Sequence, residues 1–234
     1  MMETKWLYLA LNAFTILIPL ARSFEPRVNY FGKWKALLPS IAIVGTFFII
    51  WDIIFTINGV WGFNPRYLSG IELFHLPLGE WLFFITVPYA CVFIYEVVNY
   101  FWPNASFWEN IAAPLTYALA AAMLVLALVF YNNAYTFWNF SFVFVFLLIV
   151  QLVIKPKWLG RFYRAYAIGL LGFFFVNGIL TGSGIEEQVV WYNPEEFMGF
   201  RMITIPVEDT FYGMLLIMMN VWLFEYFKKR FNLS

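Results

Sequence analysis

Cysteine and histidine are nearly missing from this chain, with one of each, Cys91 and His75, in 234 residues. A single thiol excludes an internal disulfide, and one thiol with one imidazole excludes a zinc site built of Cys and His. Neither is an expected participant in chemistry: Cys91 sits in an apolar run as packing, and His75 stands alone. Charge is scarce as well. Only 12% of residues are charged against 63% hydrophobic, and the mean hydropathy is +0.75, which leaves too little polar surface to keep the chain in water. The expectation is an all-α polytopic membrane protein with no soluble domain appended and no nucleic-acid partner. A cleavable leader is not expected, because the first apolar stretch lacks a small-residue cleavage site and runs straight into a basic loop.

A helix that crosses a bilayer needs roughly 17 to 25 apolar residues. About seven stretches qualify, at roughly 6–20, 36–56, 78–101, 109–131, 135–154, 163–181 and 203–226, the first being the shortest. The basic residues between them sort by side. Arg22, Arg27, Lys33 and Lys35 follow the first stretch, Lys155, Lys157, Arg161 and Arg164 follow the fifth, and Lys228, Lys229 and Arg230 follow the last. Basic loops stay cytoplasmic, which predicts an outside N-terminus and a cytoplasmic C-terminus. The long loops 57–77 and 182–202 are then external. Their aromatics, glycines and Asn-Pro pairs predict shaped, partly buried segments.

These two loops are copies of each other. A shift of about 129 residues lays Val60 on Val189, Asn64 on Asn193, Pro65 on Pro194, Gly70 on Gly199, Pro77 on Pro206 and Glu96 on Glu225. The same shift carries the first three helices onto the fifth, sixth and seventh. Four helices separate an element from its copy, so both copies run the same way through the membrane and the repeats are parallel. The expected division is a first repeat, 1–104, a connector helix, 105–132, and a second repeat, 133–234. Glu80 then corresponds to Asp209.

Carboxylates inside such a chain need a reason. Glu80, Glu208 and Asp209 follow Pro77 and Pro206 into first helical turns, where free amides and the helix dipole favour an anion. One reading is therefore a helix starter at the interface. The other is a general acid, because "LPLGEWLFF" and "IPVEDTFYG" surround these groups with apolar and aromatic residues, and burial or a like-charged neighbour disfavours ionisation. Asp52, near the same end of the second helix, is either a further acid or base or an anchor to a loop amide. Trp61, Trp81, Phe83, Phe84, Tyr89 and Trp191 cluster about the acids, where ring faces stabilise a developing cation. Asn64 and Asn193 precede prolines, as turn builders do. Glu96 and Glu225 lie about 24 Å further along their helices and either anchor the cytoplasmic ends or touch the far end of a substrate.

"WDIIFTINGVWGFNPRYLSGIELFHLPLGEWLFFITVPYACVFIYE", residues 51–96, and "IPVEDTFYGMLLIMMNVWLFE", residues 205–225, resemble the signature segments of the small membrane-integral lycopene cyclases. Those are bacterial and archaeal enzymes of two homologous halves, encoded separately or fused, and also the cyclase portion of a fungal bifunctional protein. The resemblance covers nearly the whole chain and implies the fused form. The family motif Pro-x-Glu-(Glu/Asp) is intact as Pro206, Val207, Glu208 and Asp209, whereas in the first half Gly79 stands where a Glu is usual. The resemblance implies cofactor-independent, non-redox cyclisation of the linear ends of lycopene to ionone-type rings. It further implies Glu80, Glu208 and Asp209 as the acid cluster, a prokaryotic cytoplasmic membrane, and association with other carotenoid enzymes. The substrate-contact candidates are Asp52, Trp61, Asn64, Trp81, Phe83, Phe84, Tyr89, Trp191, Asn193, Glu96 and Glu225, and there is no candidate metal site. Gly182-Ser183-Gly184 lacks the strand and helix of a flavin-binding turn. Two other classes stay open: a small carrier or proton pathway through Asp52, Glu80 and Asp209, and an inactive assembly partner of pigment enzymes.

Overall fold

Each apolar stretch becomes a helix in the computed structural model, which describes residues 5–233. The helices are α1 Leu7–Arg22, α2 Trp34–Ile57, α3 Leu78–Phe101, α4 Ser106–Val129, α5 Ala134–Leu148, α6 Leu159–Leu180 and α7 Val207–Arg230. Six are long and apolar enough to cross a bilayer, counting α5 together with the π-helical Ile149–Ile154 that extends it. α1 has 16 residues and covers about 24 Å, less than the hydrocarbon thickness of about 30 Å. The protein is an all-α membrane protein of two parallel three-helix repeats, α1–α3 and α5–α7, joined by α4. The repeats interlock: α2 packs along α7, and α6 in return packs along α3.

The loops contain short strands that a helical reading of the sequence does not show: β1 Trp61–Phe63, β2 Glu72–Leu73, β3 Leu76–Pro77, β4 Val190–Tyr192, β5 Arg201–Met202 and β6 Ile205–Pro206. A shift of 129 carries β1 to β4, β2 to β5, β3 to β6 and α3 to α7, residue for residue. Backbone angles follow the same rule, with φ of +83° at Gly70 and +84° at Gly199, and 52° and 61° at the hairpin tips Phe74 and Ile203. β1 and β4 then pair antiparallel, so the two copies hydrogen-bond to each other and close this end of the bundle. Gly62 faces Trp191 in that pair. A Cβ on Gly62 would lie 2.3 Å from the Trp191 ring, so the strands approach only because the side chain is missing.

The register changes by two residues in the first helix of each repeat. Asn12 donates to the Gly79 carbonyl at 2.9 Å and Asn139 to the Glu208 carbonyl at 2.7 Å, so carbonyls 129 apart are met by asparagines 127 apart. Within lipid, burying an apolar side chain gains little, and close packing has to hold helices together. Aromatic contacts supply part of it: Phe48, Trp51 and Tyr212 meet pairwise at centroid distances of 5.0, 5.1 and 5.7 Å. Each such pair is worth about 0.5–1.5 kcal/mol. The opposite, basic end is tied by charge. Glu96 accepts from Lys33 at 2.5 Å and Lys228 at 2.9 Å, while Glu225 accepts from Lys228 at 3.3 Å and from the Tyr95 hydroxyl at 3.0 Å.

Candidate active site

The β2–β3 and β5–β6 hairpins run directly into α3 and α7, which places Pro77 and Pro206 just before each helix and Glu80 and Asp209 at the third helical position. A helix-starting role would leave these carboxylates beside their own free amides and water. Instead they are turned into the bundle, with Glu80 8% and Asp209 5% exposed, and held by other elements. Tyr8 on α1 donates to Oε2 of Glu80. Asp209 receives three donors: the Tyr135 hydroxyl on Oδ1 at 2.6 Å, and on Oδ2 the Asn177 amide at 2.8 Å and the Tyr192 hydroxyl at 2.9 Å. Burial, and next the Asp209 carboxylate beside it, hold the Tyr192 phenol well above its ordinary pKa, so it remains a donor.

Asp52 joins them from α2. It is 2% exposed, and its Oδ1 accepts from the Trp61 indole at 2.5 Å while Oδ2 has no partner among the described residues. Asp52, Glu80 and Asp209 all line one cavity of about 280 Å³, well above the voids left by ordinary packing. Trp61, Phe83, Tyr135, Tyr192 and Tyr212 form its walls around the acids. Three carboxyl groups from both repeats thus meet in a space whose surface, apart from tyrosine hydroxyls, Thr15 and Asn177, is largely apolar. Such a space can hold a hydrocarbon, deliver or take a proton, and screen a cation from water with ring faces.

Glu208 is not on this cavity. It is fully buried on the other side of α7, where Oε1 accepts from the Thr136 hydroxyl at 2.6 Å and the Met198 N–H at 2.8 Å. It fastens the second loop to α5. The corresponding Gly79 carries no side chain because the Tyr8 ring fills the space: a Cβ there would lie 2.6 Å from ring atoms.

The expected substrate contacts divide in the same way. Asp52, Trp61 and Phe83 line the cavity. Phe84 packs behind it against Phe48. Tyr89 accepts from the Trp34 indole at 3.1 Å, near the basic end. Trp81 donates to the Leu73 carbonyl at 3.1 Å on the outside of the hairpin, and Trp191 covers Gly62 with 42% of its surface exposed. Asn64 and Asn193 build turns, accepting from the N–H groups of Arg66 at 3.0 Å and Glu195 at 3.1 Å. Glu96 and Glu225 are held in the ion pairs of the basic end. Composition and loop reading missed Tyr8, Tyr135, Tyr192 and Asn177. Two of them carry a sequence signal: "YLALN" from Tyr8 and "YTFWN" from Tyr135 repeat Tyr and Asn four apart, with the Tyr reaching the carboxylate and the Asn the backbone carbonyl of the residue just before it.

Residues 5–98 and 132–227 match the family model described as lycopene cyclase, as two separate stretches. No curated protein and no solved structure matches the chain.

Proposed function

The chain belongs to the lycopene cyclase family, and from that premise we propose that it closes the open ends of a lycopene-type carotenoid into ionone-type rings by proton transfer alone. A proton adds to the terminal double bond and leaves a tertiary cation. An internal double bond attacks that cation, closing a six-membered ring and moving the charge onto it. Loss of a ring proton restores the alkene. The product is an isomer of the substrate, and no electrons are gained or lost, so the balance calls for an acid and a base and for no redox partner.

The observation that carries this reading is the convergence of Asp52, Glu80 and Asp209 on one aromatic-walled cavity. Asp209, with hydrogen bonds from Tyr135, Asn177 and Tyr192, is arranged as an anion. It faces the cation as counter-charge and takes the proton that leaves. Glu80, whose hydrogen-bond partner among the described residues is Tyr8, is assigned as the donor, and Asp52 on the same cavity relays the proton that Asp209 has taken back to Glu80. Trp61, Tyr192 and Tyr212 present ring density to the cation. Glu208 is assigned to positioning, since it holds the loop that bears Tyr192. Acids at one end of the cavity favour this over a carrier, whose relay would continue to the far end, where Glu96 and Glu225 are already ion-paired. The basic end is assigned to the cytoplasm.

Amide replacement tests the roles in cells that accumulate lycopene, with the extracted pigments separated and measured. Glu80→Gln and Asp209→Asn are each expected to lower ring formation at least about 100-fold. Glu208→Gln keeps the acceptor oxygen that Thr136 and Met198 use, and should retain most activity. Undiminished cyclisation in both cavity variants would refute the proposal.

A further inference from the structure

The cavity is a slot, and its shape says how a rigid hydrocarbon gets in. Lining residues run along α3 from Glu80 to Tyr95 and along α6 from Leu180 to Phe162, about 22 Å or more of helix. Most of its wall is covered by other helices. Along the seam between α1 and α6 it is not: Phe14, Ile18 and Phe175 line the slot from inside and are also 55%, 64% and 56% exposed on the outer surface. One layer of side chains therefore separates the slot from the surrounding lipid. α1 packs along α3 and barely touches α6, and the Phe14 and Phe175 rings meet across the gap at 5.6 Å. On the same face of α6 as Phe175, Gly169 and Gly172 also line the slot. A Cβ at either would meet nothing within 4 Å, so these glycines leave room that no protein atom uses.

We propose that the carotenoid enters sideways from the bilayer through the α1–α6 seam, with Phe14 and Phe175 as a movable gate and the face of α6 at Gly169 and Gly172 as the bed for the unreacted polyene. The proposal rests on the cyclase reading for its occupant. The seam admits a long conjugated chain broadside, as a mouth at the capped loop end would not, because β1 and β4 close that end. The chain's reacting end then lies at Asp52, Glu80 and Asp209 while its middle passes the glycines.

The test uses the full chain in lipid vesicles, with Cys91→Ala as background and Phe14→Cys and Phe175→Cys added. A bis-methanethiosulfonate reagent bridges the two new thiols, and a reductant releases them. Vesicles loaded with lycopene are mixed with these proteoliposomes, and two quantities are followed: pigment retained by the purified protein, by absorbance, and rings formed. Bridging is expected to slow lycopene uptake at least tenfold, with recovery on reduction. Gly172→Leu, which has open space to occupy, is expected to fold as the parent does and to bind several-fold less pigment. Equal uptake by the bridged and released protein, with Gly172→Leu unchanged, would overturn the seam. Uptake gated by the bridge without any ring formed would uphold the seam and overturn the cyclase reading, so the two fail separately.

Discussion

Gly79 and Glu208 occupy corresponding positions in the two repeats, and the difference between them decides what each neighbouring acid can do. In the second repeat a Glu fits because it points away from the cavity to Thr136 and the Met198 amide. In the first, the Tyr8 ring lies where that side chain would start, and Tyr8 is the donor to Glu80. A glycine here is the condition for the tyrosine–carboxylate pair. Gly79→Ala should therefore displace Tyr8, costing about 1–3 kcal/mol by overpacking and lowering cyclisation together with stability. Tyr8→Phe removes only the hydroxyl and should cost about 1 kcal/mol. Thermal unfolding in detergent, run beside the pigment assay, separates the two. A Gly79→Ala protein as stable and active as the parent would show that the ring has room to move.

Helices and repeats were legible in the sequence because their signals are local. Length and apolarity mark a crossing, and the loop motifs around Asn64 and Asn193 are dense enough to fix the 129-residue register. The pairing of β1 with β4 was not legible, since strands of three residues are specified by their partner in the other repeat and carry no period of their own. Tyr8 and Tyr135 were hidden for a related reason: hydroxyls on apolar helices look like packing until the opposing carboxylates are placed. The charges at the basic end show what an element gains from such partners. Glu96, 7% exposed, joins α3 to Lys33 before α2 and to Lys228 on α7. Glu96→Gln leaves Lys33 with the Val28 carbonyl and Lys228 with Glu225, each without its Glu96 carboxylate in a largely buried site, and is expected to destabilise the bundle by about 3 kcal/mol. Cyclisation per folded molecule should be unchanged, because the slot ends at Tyr95 and does not include Glu96. Measuring the unfolding midpoint and the activity of the surviving fraction checks both halves of that expectation.

On the scale of the whole molecule, the duplication brings the acids of both repeats to one cavity. Each repeat brings a tyrosine on its first helix and an acid on its third, but the interlocking of α2 with α7 and α6 with α3 turns both sets to the same cavity. The second repeat adds Asn177 and Tyr192 to its acid, the first adds Asp52 from α2, and the halves become complementary parts of one centre. A substrate about as long as the bilayer core is thick can present one end to it at a time. On the proposed mechanism a second ring would require the carotenoid to leave, turn and return. A time course at low enzyme should then show the one-ring product rising first and the two-ring product following only as free one-ring pigment builds up. Added unlabelled one-ring carotenoid should dilute the label passing into two-ring product in proportion to its amount. Label that reaches the two-ring product undiluted would mean that both ends react before release, which a single set of acids at one end of the slot does not permit.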